Sequence, residues 1–173
     1  QTPTLSYHEH NARQHLPLLM ERLKNGKTVA LVSDAGTPLV SDPGYRLVEA
    51  ALASNIPVTA VPGPSAVMAA LVLSGLPTDR FFFQGFLPNK AVQRRNALRA
   101  LAAVPSSLVI LESANRLAAM LSDAALELGE RSAAVTRELT KKFEEVRRDR
   151  LGSLAAHYLE FGAPKGEVTV VIG

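Results

Sequence analysis

Polar and apolar positions in the first half of the chain alternate between two rhythms. Residues 11–24 put Leu16, Leu19, Met20 and Leu23 on one helical face, and Gly26 ends that run. Residues 28–32 form a compact β-branched stretch without strict alternation, the pattern of a strand covered on both faces. A loop follows. Pro43 stands where a helix can start, and 45–53 reads as that helix. Residues 58–61 predict another short buried strand, and 4–8 alternate weakly as a third. Pro62-Gly63-Pro64 turns the chain, and Ser65 can cap a helix of small residues that runs to Ser74 and is closed by Gly75. Strand, helix, strand, helix predicts a parallel sheet with right-handed crossovers.

After the turn-forming stretch Leu76-Pro77-Thr78-Asp79-Arg80 the pattern restarts. Residues 81–86 read as an aromatic strand, 91–103 as a helix, 107–111 as a strand and 115–128 as a helix stopped by Gly129. Strands follow at 132–136 and, as an exposed edge, at 143–150. Residues 151–161 read as a helix and 167–172 as a last strand. Strands close to Arg137 and Phe143 imply an antiparallel pair, so this sheet is expected to be mixed. The fold class is therefore α/β in two domains. Residues 1–78 carry the parallel sheet and 79–173 the mixed one.

Composition narrows the function. Of 173 residues 47% are apolar and 20% charged, which excludes a disordered chain. There is no cysteine, so disulfides and thiolate metal sites are excluded and a reducing cytoplasm fits. The longest apolar run, 66–73, is too short to span a membrane. His8 and His10 flank Glu9 without a third ligand at sensible spacing, so no metal is expected. The formal charge is +3, and all of the excess lies in the second half. Lys90, Arg94, Arg95 and Arg99 cluster about one helix, and Arg147, Arg148 and Arg150 lie on the edge strand. Such groups serve either as solvated faces and blocked edges or as contacts to an anion.

The loop Val32-Ser33-Asp34-Ala35-Gly36-Thr37-Pro38-Leu39-Val40-Ser41-Asp42-Pro43-Gly44 leaves the carboxyl end of a predicted strand, where ligands bind in open α/β sheets. Ala35 and Gly36 leave the backbone open to a ligand, and Pro38 and Pro43 stiffen the loop. It has no Lys or Arg and no glycine array, which argues against a phosphate cradle. A rigid structural turn with aspartate caps fits the same residues equally well. The turn Pro62-Gly63-Pro64-Ser65-Ala66 also joins a predicted strand to a helix, and two such turns side by side make a cleft.

These two turns, with Ser74-Gly75-Leu76-Pro77-Thr78-Asp79-Arg80-Phe81, Gly85-Phe86-Leu87-Pro88, Glu112-Ser113, Arg137-Glu138-Leu139-Thr140-Lys141-Lys142-Phe143-Glu144-Glu145 and Gly166-Glu167, resemble the tetrapyrrole methylase superfamily. The matches run in order along essentially the whole chain. The resemblance implies a two-domain α/β enzyme, usually a homodimer, that binds S-adenosylmethionine between its domains. It is strongest to members that methylate the 2′-hydroxyl of a cytidine in 16S ribosomal RNA, so that RNA or the small ribosomal subunit becomes the expected partner. It implies a cofactor site lined by Ala35, Gly36, Thr37 and Val40, approached by Ser65 and Ala66, and closed by Leu111, Ser113, Gly166 and Glu167. It also favours RNA contact for Lys90, Arg94, Arg95 and Arg99, and a place near the cleft for the Tyr7-His8-Glu9-His10-Asn11 segment.

Two departures from the family pattern stand out. The family has an earlier segment with a first strand, a Gly-Asn loop and an acidic stretch. None of these is found in 1–173, and Gln1 stands beside what should be the third strand. The chain is thus expected to lack that segment. Where the family often has histidine, this chain has Asn115. Methyl transfer to a ribose hydroxyl requires loss of its proton, and a carboxylate or a lysine of lowered pKa can take it. Glu112 and Lys141 are the candidates for that role, with Glu138 third. Two other outcomes stay open: a tetrapyrrole substrate (a precorrin or uroporphyrinogen) on the same fold, or an inactive fragment that dimerises or binds RNA.

Overall fold

The computed structural model describes residues 3–173; Gln1, named above, lies outside them. The chain divides into two compact units, Gln1–Ser65 and Ala66–Gly173. The sequence predicts this boundary between 78 and 79. The helix that precedes it belongs to the second unit because Ala70 and Leu71 pack with Val109 and Val171 of that unit's sheet.

Two helices organise the first unit, α1 (Ala12–Lys24) and α2 (Tyr45–Ala53). Leu19 of α1 and Leu47 and Ala51 of α2 are its buried apolar side chains, with Ala12 beside them. Pro17 lies inside α1, and the helix continues through it. The parallel sheet expected for this unit is not formed among the described residues: 4–8, 28–32 and 58–61 have no strand partner. A strand is a paired state, and β-branched sequence alone does not supply the neighbouring backbone. Of the apolar side chains expected to be buried, Val32 and Val61 are accordingly exposed, at 82% and 89%.

The second unit begins with α3 (Ala66–Ser74) and continues β1 (Phe81–Phe86), α4 (Ala91–Leu101), β2 (Ser107–Ser113), a 3-10 turn (Ala114–Arg116), α5 (Leu117–Leu128), β3 (Ser132–Arg137), β4 (Glu145–Arg150), α6 (Leu151–Glu160) and β5 (Glu167–Ile172). The strands form one sheet in the order β1-β2-β5-β3-β4. β1 and β2 are parallel, joined through α4, with an irregularity in register between Phe83 and Gly85. β5 is antiparallel to β2, with Leu108 opposite Ile172, and to β3, with Val135 opposite Val170. β3 and β4 form the antiparallel pair the sequence implied. The sheet is mixed, as expected.

The alternation of β2, β3 and β5 sends two sets of side chains to opposite faces. Leu108, Ile110, Val135, Val170 and Ile172 pack under α4, α5 and α6 with Leu98, Leu117, Met120, Leu121 and Leu154. Val109 and Val171 meet α3 on the other face. α3 is apolar nearly all round, which suits its packing on β5 but leaves Met68 and Val72 exposed.

Candidate functional site

In the first unit the loop 33–44 is shaped by backbone that side chains rarely adopt. Gly36, Leu39 and Ser41 all have positive φ, at 69°, 71° and 56°. The Ser33 hydroxyl donates to the Ala35 carbonyl at 2.9 Å, and the Val40 N–H to the Thr37 carbonyl at 3.3 Å. The Thr37 hydroxyl donates to the Pro64 carbonyl at 3.2 Å. That bond ties the loop to the second turn, so the two turns do lie side by side. Ala35, Gly36, Thr37 and Val40 are exposed and Ser65 is half-buried. Gly44 closes the loop at φ 140°. A Cβ there would stand 2.5 Å from Leu31 Cδ2 and 2.8 Å from Leu39 Cδ1, so both leucine side chains would have to shift, in a backbone conformation that favours glycine.

Beside this loop lies an open groove of about 570 Å³, lined by Tyr7, Glu9, Asp42, Tyr45, Arg46 and Glu49 among others. Glu9 and Arg46 approach to 3.8 Å across it. The Tyr7 hydroxyl is buried there without a hydrogen-bond partner, and burial raises its pKa, with Glu9 adding to the effect. The sequence marks 7–11 only by resemblance; the pairing of Glu9 with Arg46 has no signal of its own. Among the described residues no group of three or more His, Asp or Glu could hold a metal.

In the second unit the expected residues fall at three places. Leu111, Glu112 and Ser113 end β2. Glu112 has no exposed side-chain surface. One of its oxygens accepts the Ser113 N–H at 2.7 Å, and the other accepts Arg116 Nη2 at 3.0 Å. Arg116 also donates to the Leu87 carbonyl at 2.7 Å and to the Asn89 side chain. Glu112 and Arg116 therefore knit the end of β2 to the segment after β1. Glu112, the first candidate base, has both oxygens engaged inside the fold. Asn115 is exposed on the 3-10 turn.

The second place joins Glu138, Lys141, Gly166 and Glu167. Lys141 Nζ donates to Glu138 Oε1 at 3.1 Å and to Glu167 Oε2 at 2.8 Å. The Glu167 N–H donates to Glu138 Oε1 at 3.0 Å. That backbone donor, and then Lys141, hold the Glu138 carboxyl below its ordinary pKa. Glu167, and then Glu138, raise the pKa of Lys141. The lysine of lowered pKa expected from the sequence is thus corrected: two carboxylates hold this ammonium protonated.

The third place corrects the expected basic cluster. Arg94 is 6% exposed, and its guanidinium is turned inward. It reaches Asp123 at 2.6 Å and donates to the Asn89 carbonyl at 3.1 Å. Arg99 makes a two-pronged pair with Glu127, with both hydrogen bonds at 3.0 Å. Periodicity places these arginines on one helix but cannot show that α5 offers acidic partners to them. Lys90 is exposed and Arg95 half-buried, and neither takes part in an ion pair among the described residues. On β4, Arg147 pairs with Glu145, Arg148 donates to the carbonyls of Leu73 and Ser74, and Arg150 donates to that of Glu130.

Comparison with known proteins gives these places a context. A sequence model of the family described as Tetrapyrrole (Corrin/Porphyrin) Methylases matches residues 1–155. A protein of Mesorhizobium japonicum named Ribosomal RNA small subunit methyltransferase I is 55% identical over 98% of this chain and 58% of its own length. A protein of the same name from Micromonospora olivasterospora is 48% identical over 97% of this chain and 54% of its own length. The chain thus spans little more than half the length of these relatives. The fold is shared with a uroporphyrin-III C-methyltransferase from Thermus thermophilus, solved with S-adenosylhomocysteine. The TM-score is 0.62 at 22% identity, covering 96% of this chain and 75% of that one.

Proposed function

The chain belongs to the tetrapyrrole methylase family, and from that premise we propose that it works as an S-adenosylmethionine-dependent methyltransferase acting on ribosomal RNA of the small subunit. The observation that carries the reading is the exposed turn at Ala35 and Gly36, braced on Pro64 through Thr37, with no basic side chain in loop 33–44. It suits a ligand with an adenosine and an amino acid but no phosphate. By the resemblance, Ala35, Gly36, Thr37, Val40, Ser65, Ala66, Leu111, Ser113, Gly166 and Glu167 are the residues proposed to hold that cofactor. When bound, it supplies an electrophilic methyl group on sulfur.

The acceptor in this reading is the 2′-hydroxyl of a cytidine in 16S ribosomal RNA, the acceptor to which the resemblance pointed. The chain's own task is to hold that hydroxyl in line with the methyl group, and positioning of this kind supplies much of a displacement's acceleration. The groups proposed for proton removal are poorly poised for it near neutral pH. Glu112 is sealed in the fold, Glu138 is a weakened base and Lys141 is protonated. Lys90 and Arg95, which have no ion-pair partner among the described residues, are the proposed RNA contacts of the α4 region. A homodimer and a cytoplasmic location complete the reading. Exposed Phe81, Phe82 and Phe86 on the edge strand β1 support a partner surface. In addition, no described helix is long and apolar enough to cross a membrane.

The test is a methyl-transfer assay with labelled S-adenosylmethionine that offers small ribosomal subunits and, separately, uroporphyrinogen. Label in 16S RNA at a cytidine ribose is the expected result. Label in the tetrapyrrole alone would replace the proposed substrate. Cofactor binding without transfer to either would reduce the chain to a binding fragment.

A further inference from the structure

The segment Arg137-Glu138-Leu139-Thr140-Lys141 reaches the turn before β5 through several hydrogen bonds. The ladder between β3 and β5 ends with Arg137 opposite Val168. One further backbone bond follows, from the Glu138 N–H to the Glu167 carbonyl at 3.0 Å. There the chain leaves the sheet through two left-handed residues, Glu138 at φ 49° and Thr140 at φ 65°. Neither is a glycine, so the conformation persists only because its surroundings impose it. The Thr140 N–H donates to Glu144 Oε2 at 2.6 Å, and the Lys141 N–H to the Glu138 carbonyl at 3.0 Å, which hold the loop closed on itself.

This bend lays the Glu138 side chain across Gly166. At φ 101° Gly166 already needs glycine geometry, and a Cβ there would land on the Glu138 carboxylate. The carboxylate accepts the Glu167 N–H, Lys141 bridges Glu138 and Glu167, and Arg137 Nη1 donates to the Lys165 carbonyl at 3.2 Å. Three consecutive residues, 165–167, are thus gripped by backbone and side chains of one loop.

We propose that Glu138 and Lys141 are positioning residues. In this view they clamp the Gly166-Glu167 turn in the shape that receives the cofactor, rather than moving a proton. The proposal rests on the cofactor reading above, which assigns Gly166 and Glu167 to that ligand. It also gives a use to an acidic and a basic residue placed together here: bridged to each other and to Glu167, the pair acts as a fixed strut.

The experiment compares the wild type with Glu138→Ala, Lys141→Met and the conservative Lys141→Arg. It reads amide hydrogen exchange at 165–168, calorimetric affinity for S-adenosylmethionine, and methyl transfer at saturating cofactor. In Glu138→Ala and Lys141→Met, exchange should quicken and affinity fall, each by about tenfold. The transfer rate at saturation should hold within about twofold, and Lys141→Arg should restore both clamp and affinity. Unchanged exchange and affinity overturn the clamp. A loss of saturated rate with affinity intact overturns it too, in favour of proton transfer. A wild type that gives no heat with S-adenosylmethionine refutes the cofactor reading, and the positioning role with it. A wild type that binds while the variants exchange and bind like it refutes the clamp alone.

Discussion

Replacing Arg94 by alanine should damage stability far more than RNA binding. The guanidinium places Nη2 2.6 Å and Nε 2.7 Å from Asp123 Oδ2, and donates through Nη1 to the Asn89 carbonyl. The two side chains are only 7% and 14% exposed. Truncation leaves the Asp123 carboxylate nearly buried without its counter-charge, a change that costs about 3–5 kcal/mol in comparable buried pairs. For a unit of roughly a hundred residues each kcal/mol moves the midpoint by about 4 °C, so Tm should fall by about 12–20 °C. The pair's own worth is smaller than this figure, because most of the cost is the stranded charge. Arg94→Met combined with Asp123→Leu should therefore recover most of the loss. Urea unfolding followed by far-ultraviolet circular dichroism measures Arg94→Ala and the cycle of wild type, Arg94→Met, Asp123→Leu and their double variant, and Arg95→Ala serves as a control expected within about 0.5 kcal/mol of the wild type. A loss below about 1 kcal/mol for Arg94→Ala would refute the assignment of this arginine to the core.

Three further outcomes follow from geometry. Lys90→Ala with Arg95→Ala should flatten the dependence of log affinity for RNA on log salt by about 0.7 for each phosphate no longer neutralised, while Arg99→Ala, already paired, changes the slope little; filter binding across a salt series reads this. Gly44→Ala should destabilise the first unit by about 1–3 kcal/mol, since its Cβ meets Leu31 and Leu39 in a left-handed backbone; the rate of limited proteolysis within 33–44 reports it. The clamp should be insensitive to pH across the neutral range. Glu138, lowered in the fold, contributes fully above the ordinary value of 4.5, and its contribution is lost as pH falls through the folded value. Lys141, raised, contributes fully below 10.5, and its contribution is lost as pH rises through its folded value. A titration step near neutral pH in the Glu167 amide resonance would contradict this.

The second unit is legible almost element by element, because its strands and helices find their partners inside the same hundred residues. The strand expected at 167–172 is β5, and the helix expected at 151–161 ends one residue early at Glu160. The helix expected at 115–128 is split because Ala114–Arg116 tighten into a 3-10 turn that lets Arg116 reach Glu112. The edge strand starts at Glu145 rather than 143, since Glu138 and Thr140 divert the chain first. Nothing in the letters of Glu138 or Thr140 announces a left-handed backbone. In the first unit, Tyr45–Ala53 is the helix its pattern predicts, whereas 28–32 and 58–61 carry the composition of strands without a neighbour to pair with. For the site, sequence can gather loop 33–44 and the 62–66 turn, and the Thr37–Pro64 bond joins them. It cannot separate Arg94 and Arg99 from Arg95, because that distinction depends on Asp123 and Glu127 of another helix.

The strand order β1-β2-β5-β3-β4 also bears on biosynthesis. β5 is the last of the five strands to leave the ribosome and the middle one in the sheet. Until it emerges, β2 and β3 both lack the neighbour that joins them in the finished sheet. The sheet is complete only once 167–172 is in place, and its pairings join residues far apart in sequence, a kind of contact that forms slowly relative to helices. During that interval the nascent unit is most open to chaperones and to wrong pairing with other chains. The charged residues on β4 leave that outer edge poorly suited to such pairing while the centre is still empty.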